Sequence, residues 1–197
     1  MDKKSFRKYC LNRLKSLKPR RRYINDKLVA RKIEKIIAYH KPKSILFYLP
    51  MPIEVDLQAI MKQKRKKLKI FVPFIEGESF KMVQYRLPLK RNSFDIYESP
   101  NSQKVLKKVD MIIVPVVGVD GNLKRVGFGK GMYDRFYETL KNRPVTVFVQ
   151  RVRCHTQIKV TDIYDIQANY YITPKELIYR KKYDNRDNFS WWRSCRR

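Results

Sequence analysis

Apolar positions along the chain switch repeatedly between helical and extended spacing, and that switching predicts an α/β order. Over residues 3–17, Phe6, Tyr9, Cys10 and Leu14 recur at helical intervals with Lys3, Arg7 and Lys8 on the other side, the pattern of an amphipathic basic helix. The run Lys18-Pro19-Arg20-Arg21-Arg22 is expected to break it before a second helix over 25–39, with Leu28, Ile33, Ile36 and Ile37 inward. Residues 43–49 form the first predicted core strand, which runs into the turn Pro50-Met51-Pro52-Ile53-Glu54-Val55-Asp56. A helix over 55–64 and a strand over 68–73 follow. After the turn Glu76-Gly77-Glu78, residues 80–85 have the alternation of an antiparallel arm. A polar connection at Asp95 to Pro100 leads to residues 109–117, a continuous apolar run of the kind shown by a buried parallel strand. Tyr133, Phe136, Tyr137 and Leu140 repeat at i, i+3, i+4, i+7, and strands are predicted over 145–149 and 168–173. Strands alternating with helices imply a mostly parallel sheet with helices on both faces, a Rossmann-like α/β architecture. One domain is expected over 1–179. From Arg180 to Arg197 the chain is basic, aromatic and patternless, a tail expected to dock through Trp191 and Trp192.

Composition narrows the partners. Of 197 residues, 43% are hydrophobic, enough for a sizeable core. Forty-six Lys and Arg against eighteen Asp and Glu leave a formal charge of +28, which draws the protein toward nucleotides, phosphorylated or polyglutamylated metabolites, or nucleic acid. No zinc-finger, RNP or KH signature accompanies the charge, so nucleic acid is not expected, although the charge does not exclude it. Cys10, Cys154 and Cys195 form no Cys-x-x-Cys pair, and an odd count fits neither a disulfide framework nor a structural zinc site. Three free thiols in a reducing cytoplasm are expected. The N-terminus has no signal-peptide core, and no stretch approaches eighteen apolar residues, so no membrane association is expected.

Candidate chemistry concentrates in Arg125-Val126-Gly127-Phe128-Gly129-Lys130-Gly131-Met132-Tyr133-Asp134-Arg135, where three of the six glycines fall at every second position between a strand and a helix. Glycines permit sharp turns and close approach to a ligand, helix-start N–H groups are free to point at it, and Lys130 adds a mobile positive charge. The stretch suits a polyphosphate, although it is neither a Walker A sequence nor a dinucleotide Gly-x-Gly-x-x-Gly. Glu54, just beyond a strand end, is either a ligand contact or a helix N-terminal charge. Asp162 and Asp165 are turn formers that could also reach Mg²⁺ beside a polyphosphate. His40 and His155 carry a structural reading.

Pro115 to Tyr137 resembles the 5-formyltetrahydrofolate cyclo-ligase family. The family's Pro-(x)₄-Asp run is matched by Pro115…Asp120, and its Arg-Leu-Gly-x-Gly-(Lys/Gly)-Gly-Tyr-Tyr-Asp-Arg by Arg125 through Arg135. Weaker matches extend it: Lys3-(x)₃-Arg7, Leu49-Pro-Met-Pro-Ile-Glu54, Glu98-Ser-Pro100, and Asp165…Thr173. Val119, Leu123, Met132 and Tyr164 depart from the family's Phe, turn Gly, first Tyr and His. Residues 150–159 do not align cleanly, and the last seventeen residues lie outside the match.

The resemblance implies ATP-dependent closure of 5-formyltetrahydrofolate to 5,10-methenyltetrahydrofolate, with ATP as co-substrate, Mg²⁺ as cofactor, and release of ADP and phosphate. It assigns the catalytic electrostatic roles to Lys130 and Arg125. ATP would be held by Lys3, Arg7, Arg125, Gly127, Phe128, Gly129, Lys130, Gly131, Met132 and Tyr133. Folate, expected to carry a polyglutamate tail, would meet Leu49, Met51, Glu54, Phe128, Gly129, Lys130, Gly131 and Met132. Asp134 and Asp165 would place the metal. A cytoplasmic monomer or weak dimer is expected. Two other readings stand beside it: a basic nucleic-acid-binding protein whose glycine loop grips backbone phosphate, and a catalytically silent folate or nucleotide binder.

Overall fold

The structure, a computed structural model, describes residues 1–91, 97–101 and 106–180. Part of the Asp95 to Pro100 connection and the C-terminal segment with Trp191 and Trp192 lie outside the described residues. Four helices, α1 (Lys3–Lys15), α2 (Pro19–His40), α3 (Gln58–Lys64) and α4 (Met132–Glu138), accompany eleven strands. Seven of these form one sheet: β1 (Ser44–Leu46), β2 (Lys69–Glu76), β3 (Ser79–Gln84), β6 (Met111–Pro115), β9 (Val145–Val149), β10 (Tyr170–Ile172) and β11 (Leu177–Tyr179). Their order is β11-β10-β9-β6-β1-β2-β3. The five inner strands run parallel, and β3 and β11 close the two edges antiparallel. Two short ribbons stand apart from it, β4 (Lys90–Arg91) with β5 (Tyr97–Glu98) and β7 (Gly118–Val119) with β8 (Arg125–Val126).

Alternation along the strands sorts the core into two layers, because successive side chains leave a strand on opposite faces. Ile45, Phe47, Met111, Ile113, Val147 and Val149 pack beneath α2 and α3, joined by Val29, Ile33, Ile36, Ile60 and Met61. Leu46, Ile112, Val114 and Phe148 point the other way and meet Phe136 and Leu140 at α4. The mostly parallel sheet with helices on both faces is therefore the observed architecture. Among the described residues no helix is long and apolar enough to cross a membrane.

Several elements differ from the sequence expectation for physical reasons. The expected break between the first two helices falls at residues 16–18, and Pro19 begins α2 ahead of the expected start at residue 25: at the first helical position its missing N–H has no intrahelical partner to lose. The helix expected from residue 55 starts at Gln58, whose N–H is taken by the Asp56 carboxylate at 2.9 Å. β11 pairs antiparallel with β10 where no strand was expected. The β7–β8 hairpin was also not anticipated. Its turn is organised by Asp120, fully buried, which accepts the N–H groups of Asn122 and Lys124 at 2.9 Å each and the Thr161 hydroxyl. Within that turn Leu123 adopts φ 55°, a left-handed conformation that suits glycine and accounts for the family's Gly at this position. Its side chain is only 7% exposed in the α4-side core, and that burial offsets the strain.

The expectation of three free thiols is overturned. Cys10 and Cys154, 144 residues apart, are joined in a disulfide that is buried with Phe6, Val117 and Val126 under α1. Sequence spacing could not reveal a pair that only tertiary folding brings together.

Candidate functional site

β1 delivers the chain to a turn that closes on itself. The Tyr48 hydroxyl donates to the Val55 carbonyl at 2.6 Å, Glu54 N–H donates to the Met51 carbonyl at 2.9 Å, and Met51 N–H donates to Glu54 Oε2 at 2.8 Å. Arg151, just past the end of β9, forks onto both oxygens of Asp26 at 2.7 Å each and donates to the Pro52 carbonyl at 2.6 Å. That fork pins the turn to α2. Glu54 is 8% exposed, and burial pushes its carboxyl up to about 7 against the opposing pull of Met51 N–H, Arg125 and Arg151. The same burial raises the Tyr48 and Tyr133 hydroxyls, and the Glu54 charge raises them further.

From the other side comes the glycine loop between β8 and α4. Gly129 and Gly131 take positive φ, 108° and 61°, conformations that a side chain would strain. A Cβ on Gly127 would lie 2.5 Å from the Arg125 guanidinium, so the close approach of that buried cation requires glycine. Arg125 lies under the Tyr133 ring, 5.0 Å from its centroid, and its Nη1 is 3.3 Å from Asp134 Oδ2. Arg7 reaches over from α1 and donates to the Gly127 carbonyl at 2.7 Å.

These two sides enclose a cavity of about 620 Å³. Leu49, Met51 and Glu54 of the turn line it together with Arg125, Phe128, Lys130, Gly131, Met132 and Tyr133 of the glycine stretch. Seven of the eight residues expected to meet folate are on its surface; Gly129, exposed on the loop, is not among them. Gly127, Lys3, Arg7, Asp134 and Asp165 do not line the cavity. Asp134 Oδ1 accepts Ile166 N–H at 3.1 Å, which sets Asp134 beside Asp165. Asp165 in turn is bridged by the Lys3 ammonium, which also meets Asp162 at 2.9 Å. Burial works against the Lys3 charge, but hydrogen bonds to Asp165 and Asp162 outweigh it and hold the ammonium above its usual range.

Two groups of residues escaped the sequence reading. Pro73 and Ile75 of β2 and Phe80 of β3 supply apolar floor to the cavity, and only strand register could have placed them there. Arg135 stood inside the central motif without a role. Its guanidinium donates to the carbonyls of Lys130 and Glu78, tying the glycine loop to the β2–β3 turn. Neither histidine joins the site. His40 Nε2 lies 2.8 Å from the Tyr170 hydroxyl, and His155 forms a β-bridge with Val119.

The chain matches a family model described as the 5-formyltetrahydrofolate cyclo-ligase family over residues 1–169. A mouse 5-formyltetrahydrofolate cyclo-ligase is 29% identical over 148 residues, covering 68% of this chain and 72% of the mouse protein. A Haemophilus influenzae protein of the same name is 29% identical over 118 residues, covering 55% of this chain and 63% of that one. The structure of Aquifex aeolicus 5,10-methenyltetrahydrofolate synthetase superposes with a TM-score of 0.78 at 28% identity, covering 94% of this chain and 95% of that one. A Mycoplasma pneumoniae 5,10-methenyltetrahydrofolate synthetase shares the fold, with a TM-score of 0.70 at 20% identity over 88% of this chain and 99% of that one.

Proposed function

This chain belongs to the 5-formyltetrahydrofolate cyclo-ligase family, and from that premise we propose that its cavity converts 5-formyltetrahydrofolate and ATP to 5,10-methenyltetrahydrofolate, ADP and phosphate. One observation carries the assignment to these residues: a single cavity is lined both by a buried carboxylate, Glu54, and by two cations of the glycine stretch, Arg125 and Lys130. A flat heterocycle with N–H donors fits beside Glu54, Leu49 and Met51. A polyphosphate fits beside the cations.

The formamide oxygen of the substrate is a poor leaving group. It attacks the γ-phosphorus, forming an O–P bond as the bond to ADP breaks. The neighbouring folate nitrogen then attacks the formyl carbon, loses its proton, and expels the oxygen as phosphate. No protein nucleophile is needed, so the chain's task is to position the reactants and neutralise charge. Glu54 accepts from the pterin N–H edge and fixes its orientation. Arg125, braced by Asp134 and the Tyr133 ring, presents a fixed positive charge, and Lys130 a movable one at the loop's exposed lip. Arg7 holds the loop through Gly127, and Lys3 stands at the Asp165 end of the phosphate side.

Asp134 and Asp165 offer hard carboxylate oxygens on adjoining segments. Among the described residues no group of three metal-binding side chains occurs, but Mg²⁺ is commonly held by one or two carboxylates together with substrate phosphates, so this donor pair fits. When bound, the ion supplies charge neutralisation to the phosphates. We further place the reaction in the cytoplasm, on polyglutamylated folate, in a monomer or weak dimer whose cavity one chain completes. The Cys10–Cys154 pair is compatible with that compartment, since Cys10 is 0% and Cys154 2% exposed, out of reach of small thiols.

Methenyltetrahydrofolate absorbs in the near ultraviolet. Absorbance should grow only when protein, ATP, Mg²⁺ and 5-formyltetrahydrofolate are all present. Binding of both substrates with no absorbance change would leave a silent binder.

A further inference from the structure

The end of the sheet opposite the cavity has its own chemistry. In β2, β1, β6 and β9, consecutive neighbours in the sheet, the amino ends lie level, with Ser44 beside Lys69, Ile45 beside Met111 and Met111 beside Val145. Each of these strands is entered through lysine or arginine: Lys69 for β2, Lys43 for β1, Lys107 and Lys108 for β6, Lys141 and Arg143 for β9. All six are exposed. Strand spacing of about 4.8 Å makes the row roughly 14 Å wide. Backbone bonds weld its connections together: Lys69 N–H to the Lys43 carbonyl, Val145 N–H to Asp110, and Lys141 N–H to Lys107.

Three cations of the cavity end are neutralised by carboxylates, while Arg7 and Arg135 there donate to backbone carbonyls. At the cavity end Lys3 bridges Asp162 and Asp165, Arg125 meets Asp134, and Arg151 forks onto Asp26. Among the described residues none of the six cations of the row makes an ion pair. Asp110 lies within the row, but one of its carboxylate oxygens takes the N–H groups of Lys43 and Ser44 and the Ser44 hydroxyl, each at 2.9 Å, which turns its charge inward. Glu138, three residues before Lys141, offsets only part of the rest. Helix dipoles do not account for the row either. Their attraction fades within the last turn, and α2, α3 and α4 end at His40, Lys64 and Glu138, before these residues begin. Like charges gathered at level strand ends raise the local positive potential, which favours binding of a polyanion.

We propose that this row is a second binding site, for the phosphate backbone of a nucleic-acid duplex. Duplex DNA carries one charge per about 1.7 Å of axis, a density that cations gathered on level strand starts complement. Single strands are gripped by stacking on aromatic rings; the ring at the row, Tyr137, is half-buried and already covered by the Arg143 guanidinium 5.0 Å from its centroid, and among the described residues the exposed tyrosines, 9, 23, 97 and 164, lie elsewhere. The site reads no sequence, because none of its six side chains belongs to an element shaped to enter a groove. Being at the pole opposite the cavity, it leaves catalysis open.

The test is fluorescence anisotropy of a short mixed-sequence DNA duplex against the full chain, from about 50 to 200 mM salt. The combined variant Lys43→Ala, Lys69→Ala, Lys107→Ala and Lys141→Ala should flatten the slope of log affinity against log salt by about 0.9 for each phosphate no longer neutralised. Its affinity at low salt should fall at least tenfold, with methenyltetrahydrofolate formation unchanged. A control removing four exposed lysines elsewhere, Lys4, Lys8, Lys27 and Lys175, should keep the slope. The C-terminal segment is present throughout. An unchanged slope in the first variant, an equal loss in the control, displacement of duplex by ATP, or retention on anionic phosphatidylserine vesicles but not on duplex would each overturn the proposal.

Discussion

Glu54 and Lys130 show how neighbours on one cavity divide the labour. Glu54 is buried, and that burial holds its proton up to about 7. Between its ordinary 4.5 and about 7 the folded chain therefore binds more protons than the unfolded one, and the Glu54 contribution to stability falls as pH rises through that window. Binding has the opposite sign. A carboxylate accepts from the pterin better than a carboxylic acid, so the folate KM should fall as pH rises through about 7, read from initial rates across the range. Glu54→Gln keeps the shape and loses the titration, so its folate KM should be raised and flat with pH while the ATP KM stays put. The role proposed for Lys130 is to neutralise charge that develops during transfer. Lys130→Ala should lower kcat by roughly a hundredfold with folate affinity nearly unchanged. Full turnover in that variant would remove the phosphate role from the glycine loop.

At the scale of elements, α1 is the part whose docking matters most to the site. It buries Phe6, Cys10 and Leu14 on one side while Lys3 and Arg7 reach Asp165 and Gly127. The fit is close: a Cβ on Gly118 of β7 would stand 2.7 Å from the Phe6 ring. The Cys10–Cys154 disulfide fastens the same face. With two of three cysteines paired, the chain denatured without reductant should titrate 3 − 2 = 1 thiol; three would contradict the bond. Cys10→Ala should loosen α1, so the ATP KM should rise more than the folate KM, and the thermal midpoint should drop. Equal rises would mean that α1 supports the whole fold and not the phosphate side in particular.

For the whole molecule the governing quantity is the charge of +28. Polyglutamylated folate is a polyanion, and a positive field speeds its capture without any specific contact. The kcat/KM advantage of a polyglutamate over a monoglutamate should therefore shrink as salt rises, because the screening length falls to about 8 Å near 0.15 M. An advantage indifferent to salt would point instead to fitted contacts for the tail. The same field is uneven: carboxylates cluster with cations around the cavity, while the row from Lys69 to Arg143 stands unpaired.

How much was legible in the sequence follows from which interactions are local. Period and alternation determined the helices and inner strands, since an apolar face must be buried wherever it occurs, and the glycine spacing from Gly127 to Gly131 determined a backbone able to approach a ligand. The motif residues Glu54, Arg125 and Lys130 were identifiable as lining candidates because each lies in a short, recognisable stretch, and all three do line one cavity. Tertiary structure alone decided the rest. The edge strand β11 is made by pairing with β10, the Asp26–Arg151–Pro52 clamp joins three distant segments, and Cys10 finds Cys154 only when α1 docks. The lysines entering β1, β2, β6 and β9 look like scattered solvated charge along the chain. They become one surface because parallel strands bring their amino ends level, and that is a property of register, which no single stretch of sequence contains.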